Sequence, residues 1–247
     1  MQLKWIVLGI VAIIVGTFAF EYYAQTRYPE EALVITDVNV QIGTTYTYTF
    51  FRNNENLGNH SYKVVSQEGS GSSSVYTMLA STIVTSNGKT LYLESRYVFN
   101  AKYLPLDYQL NATQDENMTI IDCTFYDGKV NTTVTEASES ITLQEDLPNG
   151  TLLLENTMPA YWEVLFGSTN LQPGKRYKAE MFVPQYDRIV SISLFVDPSK
   201  IKQQLGDSTV DATVITLSDF DLTFYVYNGE LLSYRDDSQG ILLQKVY

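Results

Sequence analysis

Apolar and polar residues alternate along most of the chain after residue 33, most clearly in Tyr46–Phe50, where aromatic residues alternate with threonine. Alternation with a period of two is typical of a strand that buries one face and exposes the other. Such segments recur at intervals of roughly ten residues up to the C-terminus. The pattern therefore predicts a mainly β domain over residues 33–247.

Tight-turn signals separate several of these segments. Asn87-Gly88, Asp127-Gly128 and Asn228-Gly229 each lie between two alternating runs. Asn-Gly and Asp-Gly supply the positive φ angles that a two-residue hairpin turn requires. Three hairpins among closely spaced strands predict a large antiparallel sheet, either strongly curved or closed into a half-barrel.

Three segments depart from the strand pattern. Arg52–Asn59 is polar and is predicted to be a turn. Met158–Leu165 has Pro159 near its start and apolar residues at helical spacing, which predicts a short helix. Pro198–Leu205 is predicted to be a second short helix or a turn. The helix at Met158–Leu165 is our candidate for an element that covers the concave side of the sheet.

A short motif occurs twice. Gln41-x-Gly43-x-x-Tyr46 is echoed by Gln172-x-Gly174-x-x-Tyr177. The echo suggests two similar halves, about 33–155 and 156–247, each forming half of one continuous sheet, although chance also explains a match this short.

The chain begins with an uncharged apolar run, Trp5–Phe20. As a helix these sixteen residues would rise roughly 24 Å, close to the thickness of the hydrocarbon core of a bilayer. Lys4 precedes the run and Glu21 follows it, which predicts a cytoplasmic N-terminus. We therefore predict a membrane anchor at residues 1–24 that contacts the bilayer through residues 5–23, a linker at residues 25–32, and an extracytoplasmic β domain at 33–247.

Two alternatives for the N-terminal run stay open. It resembles a secretory signal peptide, with Thr17-Phe18-Ala19 as a loose cleavage site. It could also be a buried helix of a soluble protein, but the chain has no other long helical pattern against which such a helix would pack. The anchor and the signal peptide both export the domain.

Charge and cysteine content narrow the function classes. The net charge of −12 argues against nucleic acid and anionic lipid head groups as partners, because both bind basic surfaces. Cys123 is the single cysteine, so the domain has no internal disulfide. Its place in an apolar run predicts a small, buried or half-buried strand residue.

Exported proteins can carry N-linked glycans on the sequence Asn-x-Ser/Thr. The chain has five such sites, somewhat more than its composition would give by chance. The glycosylation candidates are Asn59, Asn111, Asn117, Asn131 and Asn149.

Catalytic signatures are scarce. The only histidine, His60, falls at the end of the predicted polar turn and is expected to be an ordinary loop residue, which excludes the usual Ser-His-Asp and histidine-rich metal sites. The paired carboxylates Asp219/Asp221 and Asp236/Asp237 leave a hydrolase or a weak calcium site as alternatives. Aspartate is also common in turns for its own backbone hydrogen bonds. We predict no enzyme activity, and no catalytic, cofactor-binding or metal-binding residues.

The second half carries a resemblance that rests on the order of its parts: the short helix, LQPGKRYKAEMFVP, two paired strands and DLTFYVYNGELLSYRDD. This half resembles exported domains of unknown function that have an open, curved antiparallel sheet like the lipoprotein-carrier fold. The run LPLDYQL at Leu104–Leu110 suits the same pattern, which extends from Gly43 to Tyr247. The resemblance implies a shape and a compartment, and no site residue can be carried over from it.

The leading hypothesis is an anchored, non-catalytic binding or scaffolding module outside the cytoplasm. An apolar or lipid-like ligand would require an empty concave groove of several hundred Å³ lined by Tyr, Phe and Leu. A glycosylated subunit of a surface assembly, or an adhesin, would require an uncovered edge strand or an exposed apolar patch that binds a surface protein. A carboxylate-dependent hydrolase is the third alternative.

Overall fold

The computed structural model describes residues 30–115, 117–155 and 158–247. The predicted anchor at residues 1–24 and most of the linker at 25–32 lie outside these ranges. Within them, no helix is both long and apolar enough to cross a bilayer.

The described chain consists of sixteen strands, one α-helix and three single turns of 3-10 helix. In chain order the strands are β1 (Glu30–Ala32), β2 (Thr45–Arg52), β3 (Glu55–Glu68), β4 (Val75–Ser86), β5 (Lys89–Asn100), β6 (Pro105–Gln114), β7 (Asn117–Tyr126), β8 (Lys129–Glu136), β9 (Glu139–Asp146), β10 (Leu152–Leu153), β11 (Arg176–Val183), β12 (Arg188–Leu205), β13 (Ser208–Leu217), β14 (Leu222–Tyr227), β15 (Glu230–Asp236) and β16 (Ile241–Val246). The helix, α1 (Pro159–Gly167), lies between β10 and β11. The prediction of a mainly β domain with a short helix in this position is confirmed.

All sixteen strands belong to one sheet, which is open and curved. Its order is β1-β11-β12-β13-β14-β15-β16-β2-β3-β4-β5-β6-β7-β8-β9, and β10 also pairs with β11. Neighbouring strands are antiparallel except where β1 and β10 pair with β11 in parallel. The last strand, β16, pairs with β2 along Leu243↔Phe50, so the C-terminal strands continue directly into the N-terminal ones. Duplication of the two halves stays a prediction.

The predicted hairpin turns are present. Asn87, Asp127 and Asn228 have φ angles of 54°, 48° and 51°, and the glycine that follows each of them also has a positive φ angle. They connect β4 to β5, β7 to β8 and β14 to β15.

The concave side of the sheet is filled by α1. Every residue from Pro159 to Phe166 is buried. Trp162 packs on Phe224 of β14 with ring centroids 4.7 Å apart, and the Tyr161 ring lies 5.3 Å from that of Tyr97 on β5. The helix therefore forms the centre of the core, and the aromatic residues of the inner face pack around it.

The two ends of the curved sheet approach each other through side chains. Phe125 of β7 contacts Phe182 of β11, with ring centroids 5.8 Å apart. The last strand of the sheet, β9, lies beyond this contact, and all eight of its residues are exposed.

Two sequence predictions need correction. The turn predicted at Arg52–Asn59 is only Asn53-Asn54, because both asparagines adopt positive φ and β3 already begins at Glu55. Pro198–Leu205 is not helical but forms the distal part of β12. Pro198 fits there because the ladder to β13 shifts register between Val196 and Lys200, beyond the last pair with β11.

Candidate functional site

One end of the sheet is the exposed strand β9, which pairs with β8 on one side and with no other described strand on its second side. Its neighbours in sequence show why the chain turns there. Ala137, with a φ of 53°, and Ser138 form a two-residue loop between the paired residues Glu136 and Glu139. This loop fixes the register of the whole β8–β9 ladder.

The turn also fixes which backbone groups of β9 are free. In a two-residue hairpin the flanking pair is hydrogen bonded, and hydrogen-bonded and non-hydrogen-bonded pairs then alternate. Glu139, Ile141, Leu143 and Glu145 therefore direct their N–H and C=O groups toward β8. The even-numbered residues, Ser140 to Asp146, direct theirs away from the sheet, where another strand could pair with them.

Other free edges among the described residues carry features that block pairing. The distal part of β12, beyond its contact with β11, carries Pro198, Lys200 and Lys202. Proline and lysine are the residues that most often protect an edge strand from pairing with another chain. At the β11 end, β1 and β10 have only three and two residues. By contrast, β9 is eight residues long, has neither proline nor lysine, and carries charged residues that are all acidic.

The face of β9 on the concave side is apolar in the middle and acidic at both ends. Ile141 and Leu143 pair with Val134 and Thr132 of β8 and are 65% and 44% exposed. Glu139 and Glu145 flank them on the same face. In the described part of the chain, Asp146 of β9 forms an ion pair with Lys129 at 3.6 Å. Glu139 and Glu145 form no ion pair there. The strand thus presents an apolar pair between two carboxylates with no ion-pair partner.

A buried ion pair between Glu163 and Lys245 lies in the interior of the fold. Glu163 of α1 accepts hydrogen bonds from the Tyr48 hydroxyl at 2.5 Å and from the Leu231 N–H at 2.7 Å, and its other oxygen is 2.7 Å from Lys245 Nζ. Lys245 Nζ also lies 2.9 Å from Glu230 and 4.5 Å from the centre of the Tyr46 ring.

Burial raises the pKa of the Glu163 carboxyl, and the Lys245 ammonium acts in the opposite direction. Because every oxygen of this carboxylate has a partner, the network fastens α1 to β2, β15 and β16. We assign it to the core rather than to chemistry.

The prediction that His60 is a loop residue is wrong. His60 is fully buried in β3, and its Nδ1 lies 2.9 Å from the Thr82 hydroxyl. Its Nε2 has no hydrogen-bond partner. Burial lowers the pKa of the imidazole from 6.5 to about 3. It is therefore a neutral core residue and not a loop residue.

His60 should make the fold sensitive to acid. A histidine with a lowered pKa in the folded chain is protonated first in the unfolded chain, so its contribution to stability is complete above pH 6.5 and is lost as pH falls toward 3. We expect wild type to lose about 2 kcal/mol more than His60→Gln between pH 7 and pH 5 in urea unfolding. Parallel pH profiles for the two proteins would contradict this expectation.

The remaining predicted residues lie apart from β9. Asp221 and Asp237 meet through a backbone hydrogen bond of 3.0 Å, so the two aspartate pairs are in neighbouring turns. Asp237 forms an ion pair with Arg235 at 2.7 Å, and Asp236 accepts a hydrogen bond from the Gln239 N–H at 3.0 Å. Across residues 30–115, 117–155 and 158–247, no group of three metal-binding side chains is close enough to hold an ion.

The five glycosylation candidates are spread over the strands and turns. Asn59, Asn117 and Asn149 are exposed, whereas Asn111 and Asn131 are half-buried. Glycosylation stays a prediction at all five positions. Cys123 is buried in β7, where desolvation raises the pKa of its thiol to about 12.

The predicted apolar groove is not where the hypothesis placed it. A groove of about 530 Å³ lies on the outer face of β2–β6, and most of the residues that line it are polar or charged. Lys63, Glu94, Arg96 and Gln109 line it together with Leu79. The aromatic residues of the concave face instead contact α1.

Sequence reasoning missed Glu163, Lys245 and the open edge of β9. The first two had a signal, since each is the lone charge in an apolar segment, and the two charges are opposite. The exposure of β9 had no local signal, because its alternation of Ile141 and Leu143 with polar residues equally fits a strand inside the sheet.

Comparisons with known proteins complete the description. No protein family and no curated protein matches the sequence. Among solved structures, the chain is similar to a beta-barrel-like protein of a domain of unknown function, DUF1849, from Brucella abortus. The two share 17% sequence identity over 87% of this chain and 96% of that chain, with a TM-score of 0.49. The resemblance to the lipoprotein-carrier fold stays a prediction.

Proposed function

We propose that this chain is a non-catalytic binding module that joins a surface assembly by pairing its strand β9 with an extended segment of another protein. The observation that carries the proposal is the eight-residue strand at the end of the sheet, exposed on both faces. Strand addition at such an edge gains main-chain hydrogen bonds for affinity and uses side chains for specificity.

The proposal includes the location inferred from the sequence. The N-terminal run anchors the chain in the cell membrane with its N-terminus in the cytoplasm, and the β domain faces outward. An outward-facing domain with an open edge meets partners on the cell surface, where the sequons would also be modified.

An apolar or lipid-like ligand is the second candidate. It is favoured by the curved sheet and by aromatic residues such as Tyr97 and Phe224 on its concave face. That face is occupied by α1, all of whose residues from Pro159 to Phe166 are buried. A ligand would first have to displace the helix and the ion pair of Glu163, so strand pairing is the simpler mode of binding.

A hydrolase is disfavoured by the positions of the predicted carboxylates. Asp219, Asp221 and Asp237 are exposed, and Asp236 and Asp237 serve the turn before β16. A glycosidase needs two carboxyl groups facing each other across a cleft.

The proposal is tested with a displayed library of random decapeptides selected on the full chain. Thr142 directs its N–H away from the sheet, so Thr142→Pro removes one pairing donor at a position where an edge strand tolerates proline. Thr142→Ser keeps the N–H and the hydroxyl and serves as the matched control.

We expect the selection to yield peptides that bind wild type and Thr142→Ser alike and bind Thr142→Pro at least about tenfold more weakly, since main-chain bonds provide the affinity. Recovery of no peptide, or of peptides that bind all three proteins equally, would contradict pairing at β9.

A further inference from the structure

We propose that the segment recognised by β9 is basic at both ends and apolar and β-branched in the middle. This inference rests on the proposed function and names the chemistry of the partner. It follows from the order of side chains on one face of β9, Glu139-Ile141-Leu143-Glu145.

The spacing of the two carboxylates sets the length of the segment. Glu139 and Glu145 are six residues apart, which corresponds to roughly 20 Å along a strand. Residues directly opposite in an adjacent strand have Cβ atoms about 5 Å apart, so opposite charges there stabilise the pair. A partner strand with the pattern basic-x-apolar-x-apolar-x-basic would match all four side chains.

The apolar centre supplies the second part of the match. Ile141 and Leu143 are 65% and 44% exposed although the neighbouring residues of β8, Val134 and Thr132, are half-buried and buried. A β-branched residue opposite each of them would cover the exposed side chains of Ile141 and Leu143. Valine and isoleucine are the residues that pack best on such a half-buried strand surface.

The same carboxylates disfavour a second copy of the chain as the partner when the two strands overlap fully. If two β9 strands paired antiparallel about Thr142, Glu139 of each would stand opposite Glu145 of the other. Like charges directly opposite each other destabilise a strand pair. Inward-facing charges are one way in which edge strands avoid pairing with a second copy. In β9 the carboxylates of Glu139 and Glu145 both oppose self-pairing and select a basic partner.

The test uses two blocked heptapeptides, Lys-Thr-Val-Thr-Val-Thr-Lys and the same sequence with glutamate at both ends. Their binding to the full chain is measured by fluorescence anisotropy at low and physiological salt. The variant Glu139→Gln/Glu145→Gln keeps side-chain size and removes both charges. Neither residue has an ion-pair partner in the described chain, so the fold should be unaffected.

We expect the lysine peptide to bind wild type about tenfold more tightly than the glutamate peptide. The difference should disappear in the double glutamine variant and shrink as salt rises, because exposed charges are screened. Binding of the lysine peptide should also be lost in Thr142→Pro.

The outcomes separate this inference from the proposed function. If both peptides bound equally and Thr142→Pro abolished both, β9 would be a pairing edge without the proposed charge preference. If neither peptide bound while the library gave peptides sensitive to Thr142→Pro, the partner chemistry would again be wrong and pairing would stand. A wild-type dimer in sedimentation that Thr142→Pro dissociates would show that β9 pairs with a second copy, and would overturn the inference.

Discussion

Replacing Lys245 with methionine is expected to destabilise the folded chain by about 3–5 kcal/mol, because removing one partner of a buried ion pair leaves the other charge uncompensated. The side chain of Lys245 is 3% exposed and that of Glu163 is 9% exposed. Methionine has nearly the volume of the lysine stem, so the loss is electrostatic rather than a cavity effect. Urea unfolding followed by the fluorescence of the buried Trp162 measures the change.

The control for this prediction is the double variant Lys245→Met/Glu163→Gln. Glutamine keeps an acceptor for the Leu231 N–H and the Tyr48 hydroxyl but carries no charge. We expect the double variant to recover roughly half of the stability that the single variant loses, since no unpaired buried charge remains. A single variant that loses less than about 1 kcal/mol would show that Glu163 does not depend on Lys245.

Replacing Gly58 with alanine is the second change with a large expected effect. Gly58 lies in β3 at a φ of +147°, where the ladder to β2 shifts register. A Cβ atom there would lie 1.9 Å from the carbonyl oxygen of Ile83 on β4. Because this obstacle is backbone, β3 and β4 would have to separate, and we expect a loss of about 3 kcal/mol or more.

Gly88→Ala is the matched control. Gly88 also has a positive φ, +74°, but a Cβ atom added there meets nothing within 4 Å. Only the strain of the left-handed conformation applies, and the expected loss is about 1 kcal/mol. Equal losses in the two variants, measured by urea unfolding, would show that the contact with Ile83 is not the cause.

Local features of the fold could be predicted from the sequence because they depend on neighbouring residues. Asn87-Gly88 between two alternating runs strongly favours a hairpin turn. Pro159 at the start of an apolar segment likewise favours a helix, and α1 begins at that residue. Both predictions needed no knowledge of the rest of the chain.

Features that depend on distant strands could not be predicted in this way. In the pairing of β16 with β2, Leu243 lies opposite Phe50. No local sequence pattern in either strand predicts that the two strands pair. The polar segment before His60 predicts a loop, whereas the residue lies in β3. Its strand is set by the two-residue turn at Asn53-Asn54 and by the irregularity at Gly58, which together bring His60 to the inner face.

The candidate site was predicted in kind but not in place. An uncovered edge strand was one of the features required of a surface-assembly subunit, yet the sequence did not distinguish β9 from its neighbours. Which strand ends a sheet is decided by the total order of strands. In this chain the strand order ends at β9 because the segment after Asp146 leads to β10, which pairs with β11 near the other end of the sheet.

Hydrogen exchange of the β9 amides tests the free edge most directly. In the full chain alone, the amides of Ser140, Thr142 and Gln144 should exchange at least about tenfold faster than those of Ile141 and Leu143, which are bonded to β8. Saturating lysine heptapeptide should slow the first group to the rate of the second. Equal protection of all five amides in the free chain, or no change in Thr142 exchange when the peptide is bound, would contradict strand pairing at β9.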